Sequence, residues 1–247
     1  MAVKLKVTLL SNTPDPERAV AAAGRLCYSP STAAELKEKM TTGEVEKLVR
    51  ILIKSGHLST FEHASFTFGI DGISRSCSHQ LVRHRLASYS QQSQRYVRFD
   101  EGAGFIVPPK IAKDPKSLAI FEEAMVHAQA SYDKLVELGE AAGMEKEAIQ
   151  EDARFVLPNA AETRIVVTMN ARELRHFFAV RGCRRAQWEI NALAWHMLFL
   201  AKEVAPLLFS KAGPTCLHGK CGEGKMCCGE VYTEEEVAEM TEAIVSA

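Results

Sequence analysis

The sequence has no apolar run long enough to span a bilayer and no charged-then-apolar leader. Those absences lead us to expect a cytoplasmic protein. It has no internal repeat, low-complexity tract or Pro/Ser-rich linker before the C-terminal region, which argues against a repeat array. It has no excess of charge of either sign. Thirty Lys and Arg stand against 31 Asp and Glu, a net charge of −1. Binding a long polyanion such as duplex DNA would demand a broader positive excess. A dinucleotide-binding glycine turn is missing too, because Gly102-x-Gly104 leads into Phe105-Ile106-Val107-Pro108-Pro109 and not into a helix. Seven cysteines without an export signal argue against a disulfide framework.

What is present is ordinary in amount and unusual in placement. A chain of 247 residues, 47% hydrophobic and 25% charged, can bury one substantial core or two small ones. Acidic residues collect around Glu35–Glu46, Glu137–Asp152 and the tail Glu230–Glu242. Positive charge gathers in two blocks. One holds Arg75, His79, Arg83, His84, Arg85, Arg95 and Arg98; the other holds Arg164, Arg172, Arg175, His176, Arg181, Arg184 and Arg185. A near-neutral protein with arginine concentrated in two places points to a compact anion.

Local patterns predict mixed strands and helices. Lys4–Leu9 and Ala64–Ile70 alternate as half-buried strands, and the β-branched run Arg164–Met169 reads as a buried one. Asp15-Pro16 and Asp114-Pro115 pair an N-cap with Pro at N1; the second opens the longest helical pattern, ending at Gly143. Thr42 precedes a helix ended by Gly56, and Ser74 caps a short helix carrying the first basic block. A helix over about 146–155 stops at Pro158, Asn170 caps another, and an apolar helix spans about 185–204. His63 is expected on a strand as a packing histidine, and Trp188 and Trp195 in the core. The expectation is an α+β fold, a mostly antiparallel or mixed sheet flanked by helices.

The segment Arg83-His84-Arg85-Leu86-Ala87-Ser88-Tyr89-Ser90-Gln91-Gln92-Ser93-Gln94-Arg95-Tyr96 packs cationic donors, hydroxyls and amides where few side chains are apolar. Folding does not need such a stretch; anchoring a phosphate does, since guanidinium forks and hydroxyls complete an anion cage. Arg83-His84-Arg85, seven residues, then Ser93 resembles the RHR-x7-S pattern of flavin-dependent thymidylate synthases. Four other stretches are similar to that family: Ala23–Tyr28, Gly56–His63, Ala153–Pro158, and a last block of Asn170-Ala171-Arg172, Phe177-Phe178, Arg181 and Ala186–Ile190. The resemblance runs in order from about residue 3 to about residue 205.

The resemblance implies reductive methylation of dUMP to dTMP without a protein nucleophile. It implies FAD as hydride carrier, reduced by NADPH, and 5,10-methylenetetrahydrofolate as carbon donor. Arg181 is then the catalytic cation beside the uracil N3/O4 edge, and binds substrate too. Gln80, Arg83, Gln91, Gln92, Ser93, Gln94, Arg95 and Arg154 look like dUMP ligands, with Ser93 and Arg95 on the phosphate. FAD contacts are expected from Cys27, Ser59, Arg83, His84, Arg85, Gln91, Asn170, Arg172 and His176, and His57 is placed near flavin or folate. Some relatives carry Glu at the Gln91 position, so a carboxylate role does not carry over. Others have Asn at His176 and His at Arg185. The family also implies a homotetramer whose sites draw arginine from more than one chain.

Residues 1–210 are read as the catalytic domain and 211–247 as a Cys/Gly-rich extension with a terminal helix. Cys216, His218, Cys221, Cys227 and Cys228 offer soft ligands without a clean CxxC pair. The expectation there is no metal and a reduced loop. Thr233 with Glu236 forms a capping box that opens a last helix, able to dock the tail on the core. Two rival readings are a nucleic-acid-binding module using the two basic blocks with Tyr89, Tyr96 and Phe99 for stacking, and an enzyme using Cys183, close to Arg181, as a thiolate nucleophile.

Overall fold

The computed structural model describes residues 3–100 and 104–245, and side chains through residue 241. Four strands, β1 (Lys6–Asn12), β2 (Ser65–Ser74), β3 (Ala87–Gln91) and β4 (Glu162–Asn170), form one sheet in the order β1-β2-β4-β3. Neighbours run antiparallel: Thr13 N–H donates to Ser65 O, Ala171 N–H to Ala64 O, and Gln92 N–H to Arg164 O, at 2.7–2.9 Å. Around it lie α1 (Pro16–Leu26), α2 (Ala33–Lys39), α3 (Thr42–Ser55), α4 (Arg75–Leu81), α5 (Pro109–Ala112), α6 (Pro115–Ala141), α7 (Lys146–Ala153), α8 (Ala171–Arg181), α9 (Trp188–Val204) and α10 (Glu234–Val245). The fold is α+β.

Helix starts follow the capping residues. Asp15, Ser74, Asp114 and Asn170 each accept a backbone N–H from the third residue onward, and Pro stands first in α1 and α6. Several expectations need correction. Thr41, not Thr42, caps α3, because its hydroxyl and the Glu44 carboxylate satisfy each other's backbone N–H groups. α4 ends at Leu81, so Arg83-His84-Arg85 lies beyond it and only Arg75 and His79 of that block are helical. α9 begins at Trp188, where Gln187 caps Glu189 and Ile190. His63 is exposed and belongs to a 3-10 turn at Leu58–His63. Trp195 is core at 2% exposure, but Trp188, in the first turn of α9, is 40% exposed. Gly102 lies outside the described residues; Phe105 makes an isolated bridge to Ala161.

The chain divides into two compact units. The first comprises the described part of 1–6 with 70–82 and 90–165. Its core is Phe99, Tyr132, Val136, Ile149, Ala153 and Ala161, from α6, α7 and the segments flanking β3 and β4. Burial of the Phe, Val and Ile side chains contributes about 1.5–3 kcal/mol each. The Tyr132 hydroxyl accepts the Phe99 N–H at 3.1 Å, so the buried phenol is satisfied. Gly72, at φ +71°, brings β2 against the carbonyl of Lys4.

The second unit comprises 7–69, 83–89 and the described part of 166–247. Phe66, Phe178 and Phe209 meet edge to face at 5.3–5.8 Å, with Phe177 beside Phe178. Glu17 on α1 accepts the Leu207 N–H at 2.6 Å. Burial raises its carboxyl pKa, partly offset by that bond. The tail from 211 belongs to this unit. Arg184 grips both oxygens of Glu236 at 2.6–2.7 Å and lies 3.8 Å over the Tyr232 ring, which meets Trp195 edge-on.

Candidate active site

In the second unit, α8 and the segment after α4 enclose an open recess of about 680 Å³, lined by Arg83, His84, Arg85, Glu173, His176 and Arg181 among others. Arg83, Arg85 and His176 are exposed, and among the described residues none is paired with a carboxylate. The one acidic side chain lining the recess, Glu173, is 7% exposed and lies 3.3 Å from Nδ1 of His84. Arg181 Nε donates to His84 Nε2 at 3.1 Å. Burial, then the Arg181 charge and His176, push the His84 pKa down to about 4. An uncompensated cluster of guanidinium groups in one recess attracts an anion of several charges. A dinucleotide diphosphate fits that donor set.

In the first unit a smaller recess of about 210 Å³ is lined by Gln92, Ser93, Gln94, Arg98 and Arg164 with their neighbours. Ser93 opens a turn: its carbonyl accepts the N–H groups of Tyr96 and Val97, and its Oγ accepts that of Arg95 at 3.2 Å. The hydroxyl proton is left for a ligand. Gln94 Nε2 is buried without a hydrogen-bond partner among the described residues, a donor that costs about 1–3 kcal/mol unless something accepts from it. Arg95 has its Nε 2.8 Å from Glu151 on α7, so a phosphate there would share the guanidinium. Arg154 donates from Nε to the Glu151 carbonyl. Arg75, which lines no described ion pair, has its pKa lowered by burial and then by the charge of Arg154; a bound anion would offset both.

The remaining expected ligands are less free. Gln91 Nε2 donates to Ser78 Oγ at 3.1 Å and Thr163 Oγ1 at 3.0 Å, tying β3 to its neighbours. The Asn170 side chain is spent on the N-cap of α8. Arg172 pairs with Glu62. Gln80 is half-buried on α4, while Cys27 at the end of α1, Ser59 and His57 are exposed. The basic blocks are also smaller than their arginine counts. Arg175 donates to the Leu208 carbonyl and stacks on Phe61, Arg184 holds the tail, and Arg164 lies 3.8 Å from both Asp71 and Glu162. The sequence singles out Arg75 only as part of the first basic block, and does not single out Glu173. The signal for Glu173 is its place three residues after a capping asparagine, the spacing of a box acid.

Cys183 lies in the turn between α8 and α9, where Asn191 Nδ2 donates to its carbonyl at 3.0 Å and to that of Arg181 at 2.9 Å. If no thiolate attacks the substrate, Cys183→Ala keeps kcat within about twofold, whereas a hundredfold loss would install the thiol as nucleophile. All the cysteines are free thiols, and among the described residues no three His, Cys, Asp or Glu side chains form a metal-holding group. No helix among the described residues is long and apolar enough to cross a membrane.

Residues 8–207 match the thymidylate synthase complementing protein family. The chain is 56% identical over 228 residues to the flavin-dependent thymidylate synthase of Geobacter sulfurreducens, covering 92% of this chain and 94% of that one. It is 52% identical over 242 residues to the enzyme of that name from Clostridium tetani, covering 94% and 96%. With the Pyrococcus furiosus protein of the same name the identity is 42% over 227 residues. The arginine-lined recess, the Ser93 turn and these matches together make the chain a member of the thymidylate synthase complementing protein family, alongside the flavin-dependent thymidylate synthases.

Proposed function

We propose that this chain reductively methylates dUMP to dTMP, taking the carbon from 5,10-methylenetetrahydrofolate and using FAD reduced by NADPH. The observation that carries the reading beyond family membership is the recess with Arg83, Arg85 and Arg181, whose guanidinium groups have no exposed carboxylate among them. Bound flavin supplies the hydride, so no protein nucleophile is needed. The chain has positioning and charge stabilisation to perform. Arg181 presents a fixed cation to the uracil N3/O4 edge, where negative charge grows as C5 becomes nucleophilic. Ser93 and Arg95 hold the phosphate, the hydroxyl as donor and the guanidinium as a fork. Gln80, Arg83, Gln91, Gln92, Gln94 and Arg154 complete the dUMP set. Arg83, Arg85, His84, His176 and Arg172 hold the dinucleotide, with Cys27, Ser59, Gln91 and Asn170 at its edges.

Residues 1–210 form the catalytic part in this reading and 211–247 an extension without metal. The working enzyme is a cytoplasmic homotetramer with sites shared between subunits, acting on small molecules and not on nucleic acid. The first test is the visible spectrum of the purified chain with FAD, then with NADPH under anaerobic conditions. A protein-bound flavin that bleaches with NADPH, followed by dTMP from dUMP and methylenetetrahydrofolate, is the expected result. Failure to bind flavin under any condition would sink it.

A further inference from the structure

His84 and Glu173 have no assigned part in handling the uracil ring, yet the Glu173 carboxylate meets the His84 ring and that ring meets Arg181. Both are nearly closed to solvent, at 8% and 7% exposure. The His84 ring is fixed on one side by the edge of Phe177, at 4.9 Å between centroids. Its backbone is held as well, since the Tyr89 hydroxyl donates to the His84 carbonyl at 2.8 Å. Both ring nitrogens are used inside the chain. Nε2 lies 3.1 Å from Arg181 Nε, which can only donate, so Nε2 must be the unprotonated acceptor. The single ring proton then sits on Nδ1, 3.3 Å from Glu173 Oε1. His84 is therefore a neutral imidazole between a carboxylate and a guanidinium, and its depressed pKa agrees with that state.

Glu173 is free for this task. Asn170 Oδ1 accepts the Glu173 N–H at 2.9 Å, as in a capping box, but the Glu173 carboxylate faces His84 and does not turn back to the cap. At the other end, the Arg181 carbonyl is clamped by Asn191, so backbone and Nε are both fixed. Among the described residues the two terminal NH2 groups of Arg181 make no hydrogen bond, and they remain for a ligand.

We propose that Glu173 and His84 are positioning residues: the carboxylate sets the histidine tautomer, and the histidine sets the direction in which Arg181 offers its terminal NH2 groups. The inference rests on the catalytic part given to Arg181 above.

The test has one arm that needs no substrate. In the full chain labelled with 15N-histidine, long-range proton–nitrogen spectra should show His84 as the Nδ1–H tautomer from pH 8 down to about pH 5. Glu173→Ala should populate the Nε2–H form. In the kinetic arm, Glu173→Ala should lower kcat about 10–100-fold while the KM for dUMP stays within about threefold. Glu173→Gln, whose amide oxygen can still accept from Nδ1, should recover most of the kcat. A Nε2–H tautomer in the unsubstituted chain, or a Glu173→Ala variant with unchanged tautomer and kcat, would overturn the proposal. Equal losses in the Ala and Gln variants with a raised KM would reduce Glu173 to a packing residue. If the unsubstituted chain made no dTMP, the proposed function would fall, and the tautomer alone would decide the pair.

Discussion

Replacing Arg181 with Ala lowers kcat for dTMP formation about 10²–10³-fold, the equivalent of about 2.7–4 kcal/mol of transition-state stabilisation. The effect is electrostatic. The charge that builds on the uracil edge exists only on the way to the transition state, so a fixed cation there acts on kcat more than on binding. Arg181 is prepared for it by two internal bonds, Nε to His84 and the backbone carbonyl to Asn191, so little reorganisation is left for the reaction itself. Arg181→Lys should recover only part of the loss, because an ammonium keeps the charge but cannot occupy the Nε–His84 bond and offer a flat fork at once. The substitution should leave the melting temperature nearly unchanged, since the turn after α8 is held through the main chain. Anaerobic single-turnover measurement of dTMP decides it. A variant within threefold of the parent would remove Arg181 from the chemistry.

The largest stability effect is expected at Gly72. Its φ of +71° belongs to the left-handed region, which costs an L-residue about 1–2 kcal/mol. A Cβ there would stand 2.1 Å from the Lys4 carbonyl oxygen and 2.8 Å from its carbon. No side-chain rotation relieves a clash with backbone, so the start of the chain must move off β2. Gly72→Ala should cost about 3–5 kcal/mol in all, lowering the melting temperature by roughly 10 °C at about 2–4 °C per kcal/mol for a chain of this size. Gly43→Ala is the companion measurement. Gly43 is inside α3 with nothing within 4 Å of its added methyl, so it should be neutral or stabilising by about 0.4–1 kcal/mol. A Gly72→Ala melting curve superimposable on the parent would mean that Lys4 does not hold this position in solution.

Legibility in the sequence followed how local each cause is. Asp15-Pro16, Asp114-Pro115 and Asn170 mark helix starts because the cap and its N–H partner are three residues apart. β3 was invisible for the opposite reason. Ala87–Gln91 is polar and no residue in it is fully buried, so it carries no apolar alternation; partners far along the chain make it a strand. α2 carries a local signal of its own, the Thr32–Glu35 capping box, which leads into the acidic run Glu35–Glu46. At the site, the motif residues around Ser93 were readable as types. What composition could not tell was which arginines are already spent: Arg175 on Leu208 and Arg184 on Glu236 look identical in sequence to Arg83 and Arg85, which have no carboxylate partner among the described residues. The Glu173–His84–Arg181 chain was hidden by distance, since its partners are 89 and 97 residues apart.

The bond from Leu207 to Glu17 spans 190 residues, and that separation has a consequence for synthesis. At translation speeds of about 5–20 residues per second, α1 waits about 10–40 s before its partner is even made. During that interval the Glu17 carboxylate lacks the backbone donor that compensates its burial, so the water-exposed ionised form is favoured and α1 stays undocked at that end. The first helix to leave the ribosome can thus pack early on α2 and α3, which follow it closely in the chain, but its Glu17 end is fastened only after residue 207 has been made.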